Sequence, residues 1–175
     1  MKKYYALAAV LLIGLSLSGC SSPSDTVSSS PIAPKASSSA IPAQQESRMT
    51  FYKASADGLH VIPVTVSVKA GNRTPQNALA EMIRTDRHEK YPLLPAGLTV
   101  KSVTVENGTA FADFSEELNQ LKSGTEQTLF VAMTVNTLTE FPNIQQVRFT
   151  AGGKPPKFQL DMQKDYKRDE AYIQK

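Results

Sequence analysis

From residue 48 onward the apolar positions recur with two periods, two and 3.6, and the switches between them divide the chain into elements. Residues 49–53 read as a short strand. Residues 59–68 read as a longer one, in which Val64, Val66 and Val68 alternate with Thr65 and Ser67. Pro63 inside it points to an edge or a bulge, because proline cannot donate to an interior ladder. Thr74-Pro75 supplies a capping hydroxyl and a first-turn proline, and Ala78, Leu79, Met82 and Ile83 follow at helical spacing as far as Arg84. A loop with Pro92, Pro95 and Gly97 leads to a strand over residues 98–105. Asn107-Gly108 is a two-residue hairpin turn, and residues 109–114 return with Ala110, Ala112 and Phe114 on one side. Ser123 and Glu126 have the spacing of a capping box for a second helix, which Phe141-Pro142 ends. Residues 144–151 form the last strand, with Val147, Phe149 and Ala151 on one face, and Gly152-Gly153 closes it as a turn. The order β-β-α-β-β-α-β predicts an α+β fold of two layers, a mixed β-sheet with two helices on one face.

The pattern before residue 48 is of another kind. Lys2 and Lys3 precede an apolar run from Tyr4 to Leu17, broken by Gly14 and Ser16. At about 14 residues it is shorter than the roughly 20 that span a bilayer as a helix. It reads as an export leader over residues 1–19. Leu17-Ser18-Gly19-Cys20 resembles the bacterial lipobox, and Cys20 is the only cysteine of the chain. The resemblance implies acylation of the Cys20 thiol and cleavage before it. A thiolate forms this thioether readily, and two acyl chains hold a protein where one holds it only reversibly. Residues 20–47 then carry Ser, Pro, Ala and Gln, with Asp25, Lys35 and Glu46 as the only charges and no aromatic. Such a stretch buries too little apolar area to offset its ordering entropy. It reads as a flexible tether with a root-mean-square span of roughly 30 Å. The domain follows over residues 48–156, and residues 157–175 are a charged C-terminal tail.

Composition narrows the classes. The 175 residues are 41% hydrophobic, and roughly 115 to 125 of them are left to build one core once leader and tether are set aside. The formal charge of +3 includes Lys2 and Lys3, which leave with the leader, so the mature chain is close to neutral. With no Trp and no basic stripe interleaved with aromatics, nothing points to nucleic acid. One cysteine makes neither an intramolecular disulfide nor a zinc site.

The residues 93–97 (Leu-Leu-Pro-Ala-Gly), 103–114 followed by Ser115, 137–142 (Thr-Leu-Thr-Glu-Phe-Pro) and Val147-Arg148-Phe149 resemble a GerMN domain. The likeness spans roughly residues 49–155 and is most specific from Thr137 to Phe149. It implies a non-enzymatic module of envelope lipoproteins, used in spore formation, germination or other cell-wall processes. It also implies a fold similar to the ring-building motif, an α+β unit that packs against copies or relatives of itself. The chain departs in having one copy where the family's spore protein carries two in tandem.

Candidate chemistry is sparse. Asp113, Ser115, Glu116 and Glu117 cluster where a strand ends. They could suit a metal or an acid–base pair, but they offer too few regularly spaced oxygens for calcium and read better as the cap of a short turn. His60 and His88 are the only histidines, and neither belongs to an H-E-x-x-H pattern; Ser115 lacks the flanking glycines of a nucleophile elbow. Arg84, Arg87, His88 and Lys90 end the first helix. They could meet anionic headgroups or teichoic acids, but they also complement the helix dipole, diluted by Asp86 and Glu89. No Gly-Lys-Ser/Thr follows Gly152-Gly153, so it is not a phosphate loop. The expectation is a lipoprotein without catalytic residues, cofactor or metal, held outside the cytoplasm through Cys20. In a host with two membranes the outer membrane is open to it, since Ser21 and Ser22 follow the cysteine. Its domain would dock on an envelope protein or on itself through strand edges or helix faces. The alternative is a ligand-binding lipoprotein for a cell-wall fragment or small molecule, which requires a concave, partly apolar pocket.

Overall fold

The computed structural model describes residues 46–174. The leader, Cys20 and the tether up to residue 45 lie outside the described residues. Six strands and two α-helices follow in the order β1 (Glu46–Ala54), β2 (Val61–Lys69), α1 (Pro75–Arg87), β3 (Val100–Glu106), β4 (Thr109–Phe114), α2 (Gly124–Leu138), β5 (Gln146–Ala151) and β6 (Tyr166–Lys167).

The local signals act where they stand. Thr74 Oγ1 accepts from the Asn77 N–H at 3.2 Å to start α1. Ser123 Oγ accepts from the Glu126 N–H, and Glu126 Oε2 accepts from the Ser123 N–H, both at 3.1 Å, completing the capping box of α2. At the β3–β4 turn Asn107 has φ 49° and Gly108 φ 81°. Two successive left-handed residues make the turn whose twist matches the flanking strands.

The α+β class and the chain order are as expected, but the strands divide into two sheets. β1 and β2 form a two-stranded sheet of their own, in register from Glu46↔Lys69 to Ala54↔Val61. That register carries β1 two residues into the stretch expected as tether, since β2 supplies partners for Glu46 and Ser47. The second sheet has the order β3-β4-β5-β6, with β4 and β5 parallel and the other neighbours antiparallel. Its buried face presents Ala110, Ala112, Phe114, Val147, Phe149 and Ala151; α2 packs against β5 and β6, and α1 against β3. The β1–β2 hairpin lies against the helices and forms a third layer.

Between hairpin and sheet, α2 is enclosed on nearly all sides; every residue from Leu129 to Leu138 is buried. The uninterrupted run Leu129-Phe130-Val131-Ala132-Met133 reflects this, because a helix apolar all round belongs in an interior. Phe130 is its centre, edge-on to Phe114 at 5.1 Å and tilted against Phe149 at 5.9 Å. Such pairs contribute about 0.5–1.5 kcal/mol each beyond area burial.

Residues 157–174 are not a detached tail. Phe158 stacks edge-on against Phe130 at 6.1 Å, Met162 is buried, and β6 extends the sheet beside β5. Further on, Ile173 bridges Val61, and the Gln174 N–H donates to Val61 O at 2.9 Å. No helix among the described residues is long and apolar enough to cross a membrane.

Candidate functional site

The acidic cluster is built into the fold. Asp113 Oδ1 accepts from Thr150 Oγ1 at 2.6 Å and from the Gly153 N–H at 2.9 Å, tying β4 to the turn after β5. Ser115 stands at the start of the 3-10 helix Glu116–Gln120, yet its hydroxyl accepts from the Thr99 N–H at 3.1 Å rather than from that helix. Glu116 and Glu117 occupy the first turn. The Ser115 hydroxyl holds the Glu117 carboxyl below its usual range. A Cβ on Gly152 would come within 2.9 Å of Glu116 Cγ, and its φ of 62° favours glycine in any case. Among the described residues no group of three or more His, Cys, Asp or Glu is placed to hold a metal.

The loop between β1 and β2 brings Ser55, Asp57 and His60 together, a grouping the sequence pattern did not reveal. The Ser55 hydroxyl donates to Asp57 Oδ1, the imidazole Nδ1 lies 3.4 Å from Asp57 Oδ2, and the His60 N–H donates to Ser55 Oγ at 3.1 Å. A nucleophilic serine needs its proton directed to the imidazole; here it goes to the carboxylate. The Ser55 hydroxyl, joined by the Leu59 N–H, brings the Asp57 carboxyl down to about 2. The trio fastens a hairpin loop.

The cations at the end of α1 are largely engaged. Arg84 is held by Glu81 Oε2 through Nε at 2.8 Å and Nη2 at 2.6 Å, and Arg87 donates to Leu98 O at 3.2 Å. Lys90 lies over the exposed Tyr91 ring at 5.2 Å, and Glu89 pairs with Lys53 at 2.6 Å. His88 is the exposed C-cap residue. Asp86 does not dilute this patch. It is buried, and its carboxylate accepts from the Leu93 and Leu94 N–H groups at 3.1 and 2.8 Å. Burial raises its carboxyl above the usual range against the pull of those two donors.

The segment Thr137–Pro142 holds the layers together. Thr137 Oγ1 accepts from the buried Tyr52 N–H at 2.9 Å. Glu140 Oε1 accepts from the Tyr52 hydroxyl at 2.9 Å and from Arg168 Nη1 at 3.0 Å. Phe141 lies beneath the Arg73 guanidinium at 5.0 Å.

The outer edges of β2 and β3 differ. Because the Tyr52 N–H points away from β2 to Thr137, the pair Tyr52↔Pro63 is a non-hydrogen-bonded one. Pro63 therefore removes a donor from the outer edge of β2 at no cost to the ladder. Together with the Ile173 bridge and the Gln174 contact at Val61, it blunts that edge. β3 has no such guard. In a two-residue hairpin the residues flanking the turn, Glu106 and Thr109, form a hydrogen-bonded pair. By alternation, Val103 and Val105 direct their N–H and C=O groups outward along an unpaired edge. Where β3 begins, a groove of about 260 Å³ lies between α1 and the run Leu98–Val100, lined by Asn77, Ala80, Ile83, Arg84 and Arg87 among others.

Comparison with known proteins accords with this geometry. The family model described as Germane, sporulation and spore germination, matches residues 50–157. The first GerMN domain of the sporulation protein GerM from Bacillus subtilis is 25% identical and superposes with a TM-score of 0.55, covering 70% of this chain and 98% of that one. The tandem GerMN domains of the same protein are 23% identical with a TM-score of 0.54, covering 70% of this chain and 46% of that one. The chain thus spans about half the length of the tandem. No curated protein matches the sequence.

Proposed function

This chain belongs to the Germane family, related to sporulation and germination proteins, and from that premise we propose that it is an envelope lipoprotein, acylated at Cys20 and held at a membrane surface outside the cytoplasm. Its domain acts there as a non-catalytic docking module in sporulation or germination.

The observation that carries the docking reading is the unpaired edge of β3, Val100–Glu106, with the α1 groove adjoining its first residue. An exposed edge is a template for a further strand: main-chain hydrogen bonds supply affinity, and an adjoining groove selects side chains. The fold blunts its β2 edge with Pro63 and leaves β3 without a proline, a contrast that favours β3 as the contact. Lys101 and Glu106 at its ends limit indiscriminate pairing. The leader, the lone cysteine and the tether support the anchored placement.

The test is photo-crosslinking of the full chain in cells, with the reactive residue at the exposed Thr104 on β3 or the exposed Thr65 on β2. The reading expects a discrete adduct from position 104 and little from 65. Adducts of equal yield from both, or none from 104, would overturn it.

A further inference from the structure

We infer that the groove between α2 and the C-terminal segment binds a short peptide with small apolar side chains and a free carboxylate. The site is separate from the β3 edge and owes nothing to that reading. One wall comes from residues Leu160 to Tyr172, beyond the end of the family match at residue 157.

Thr128, Val131, Ala132, Val135 and Asn136 recur at the spacing of one helical stripe and form the floor. The stripe runs about 12 Å at 1.5 Å per residue, the length of about four extended residues. The cavity above it holds about 280 Å³, below the roughly 300–1,000 Å³ of pockets for drug-sized ligands. Ala132 between two valines suits methyl-sized groups.

The polar groups specify the rest. Asn136 is fully buried, and its Oδ1 has no partner. Its Nδ2 reaches Asp169 O only at 3.4 Å, so the amide is lightly held. A buried acceptor left unpaired is costly, and a peptide N–H entering along the floor would satisfy it once the amide turns toward the groove. Lys164 and Lys167 stand on one wall. No carboxylate among the described residues lies within ion-pair distance of either ammonium, and Lys164 rests over the Tyr166 ring at 5.0 Å. Asp169 on the wall is turned to the Ala171 N–H at 3.0 Å. Two lysines without an ion-pair partner against one carboxylate, Asp169, leave the wall of an apolar groove net positive and fit a ligand carboxylate, which takes charge-assisted bonds from both.

Titration of the full chain in detergent with acetyl-trialanine, by calorimetry, tests this. The acid should bind, its C-terminal amide at least tenfold more weakly. The double variant K164E/K167E, altered at exposed side chains, should lose at least tenfold in affinity for the acid while keeping the wild-type circular dichroism. A132L, which fills the floor, should bind neither peptide. Absence of binding by the acid at millimolar concentration would overturn the inference. So would equal binding of acid and amide, or unchanged affinity in K164E/K167E.

Discussion

Arg168 Nη2 donates to Tyr52 Oη at 2.8 Å, joining positions 116 residues apart. The same guanidinium reaches Glu140 Oε1 at 3.0 Å and the Asn136 carbonyl and Thr139 Oγ1 at 3.3 Å each, and it lies over the Tyr52 ring at 5.5 Å. One side chain thus clamps the C-terminal segment, the end of α2 and β1. Its side chain is 30% exposed, so solvent screens part of the ion pair. Arg168→Met is expected to cost about 1–2 kcal/mol in urea unfolding and to speed amide exchange over residues 166–174. In a double-mutant cycle with Tyr52→Phe the two losses should fall short of additivity by about 0.5 kcal/mol or more.

Thr137→Val removes one hydroxyl at nearly constant volume. It leaves the buried Tyr52 N–H without its acceptor, so a loss of about 1–3 kcal/mol is expected. Wild-type stability in urea melts would show that another acceptor takes over.

Asp86 links stability to pH. Its folded carboxyl is raised above the unfolded value, chiefly by burial, so the folded state holds the proton more tightly than the unfolded one. Relative to Asp86→Asn, the wild type should therefore lose stability as pH rises from below about 3.9, the ordinary Asp value, through the raised value. Urea unfolding of both proteins at a series of pH values reads the sign; a relative gain on raising pH would contradict it. Asp86→Ala, which orphans the Leu93 and Leu94 N–H groups, should cost about 2–3 kcal/mol at neutral pH.

The anchor is checked by metabolic labelling with a fatty-acid analogue. The wild type should incorporate label and Cys20→Ser should not; equal labelling would place the lipid elsewhere or nowhere.

What could be read in advance was local. Thr74, Ser123 with Glu126, and Asn107-Gly108 act on groups within a few residues, so spacing suffices to recognise them. Pro63 marked an edge for the same reason. Arg168 and Asp86 are another matter. Each is a charged residue in a polar stretch, and its role is set by partners that only the folded chain supplies: Tyr52 across the whole domain, and the loop amides of Leu93 and Leu94. The split into two sheets was hidden likewise, because β1 spends its outer edge on Thr137 and Arg73, side chains whose reach no periodicity encodes. The α2 groove was invisible because half its lining comes from the segment that reads as a tail.

The central claim, docking through the β3 edge, is tested most directly by Val103→Pro. The Val103 N–H faces outward, so proline there should spare the β3–β4 ladder, as Pro63 spares that of β2. The measurement is the yield of the adduct from a photo-crosslinker at Thr104 in cells, with the thermal midpoint of the purified variant as the check on folding. The account predicts at least a tenfold fall in adduct with the midpoint lowered by only a few degrees. An undiminished adduct from a folded Val103→Pro protein would contradict it.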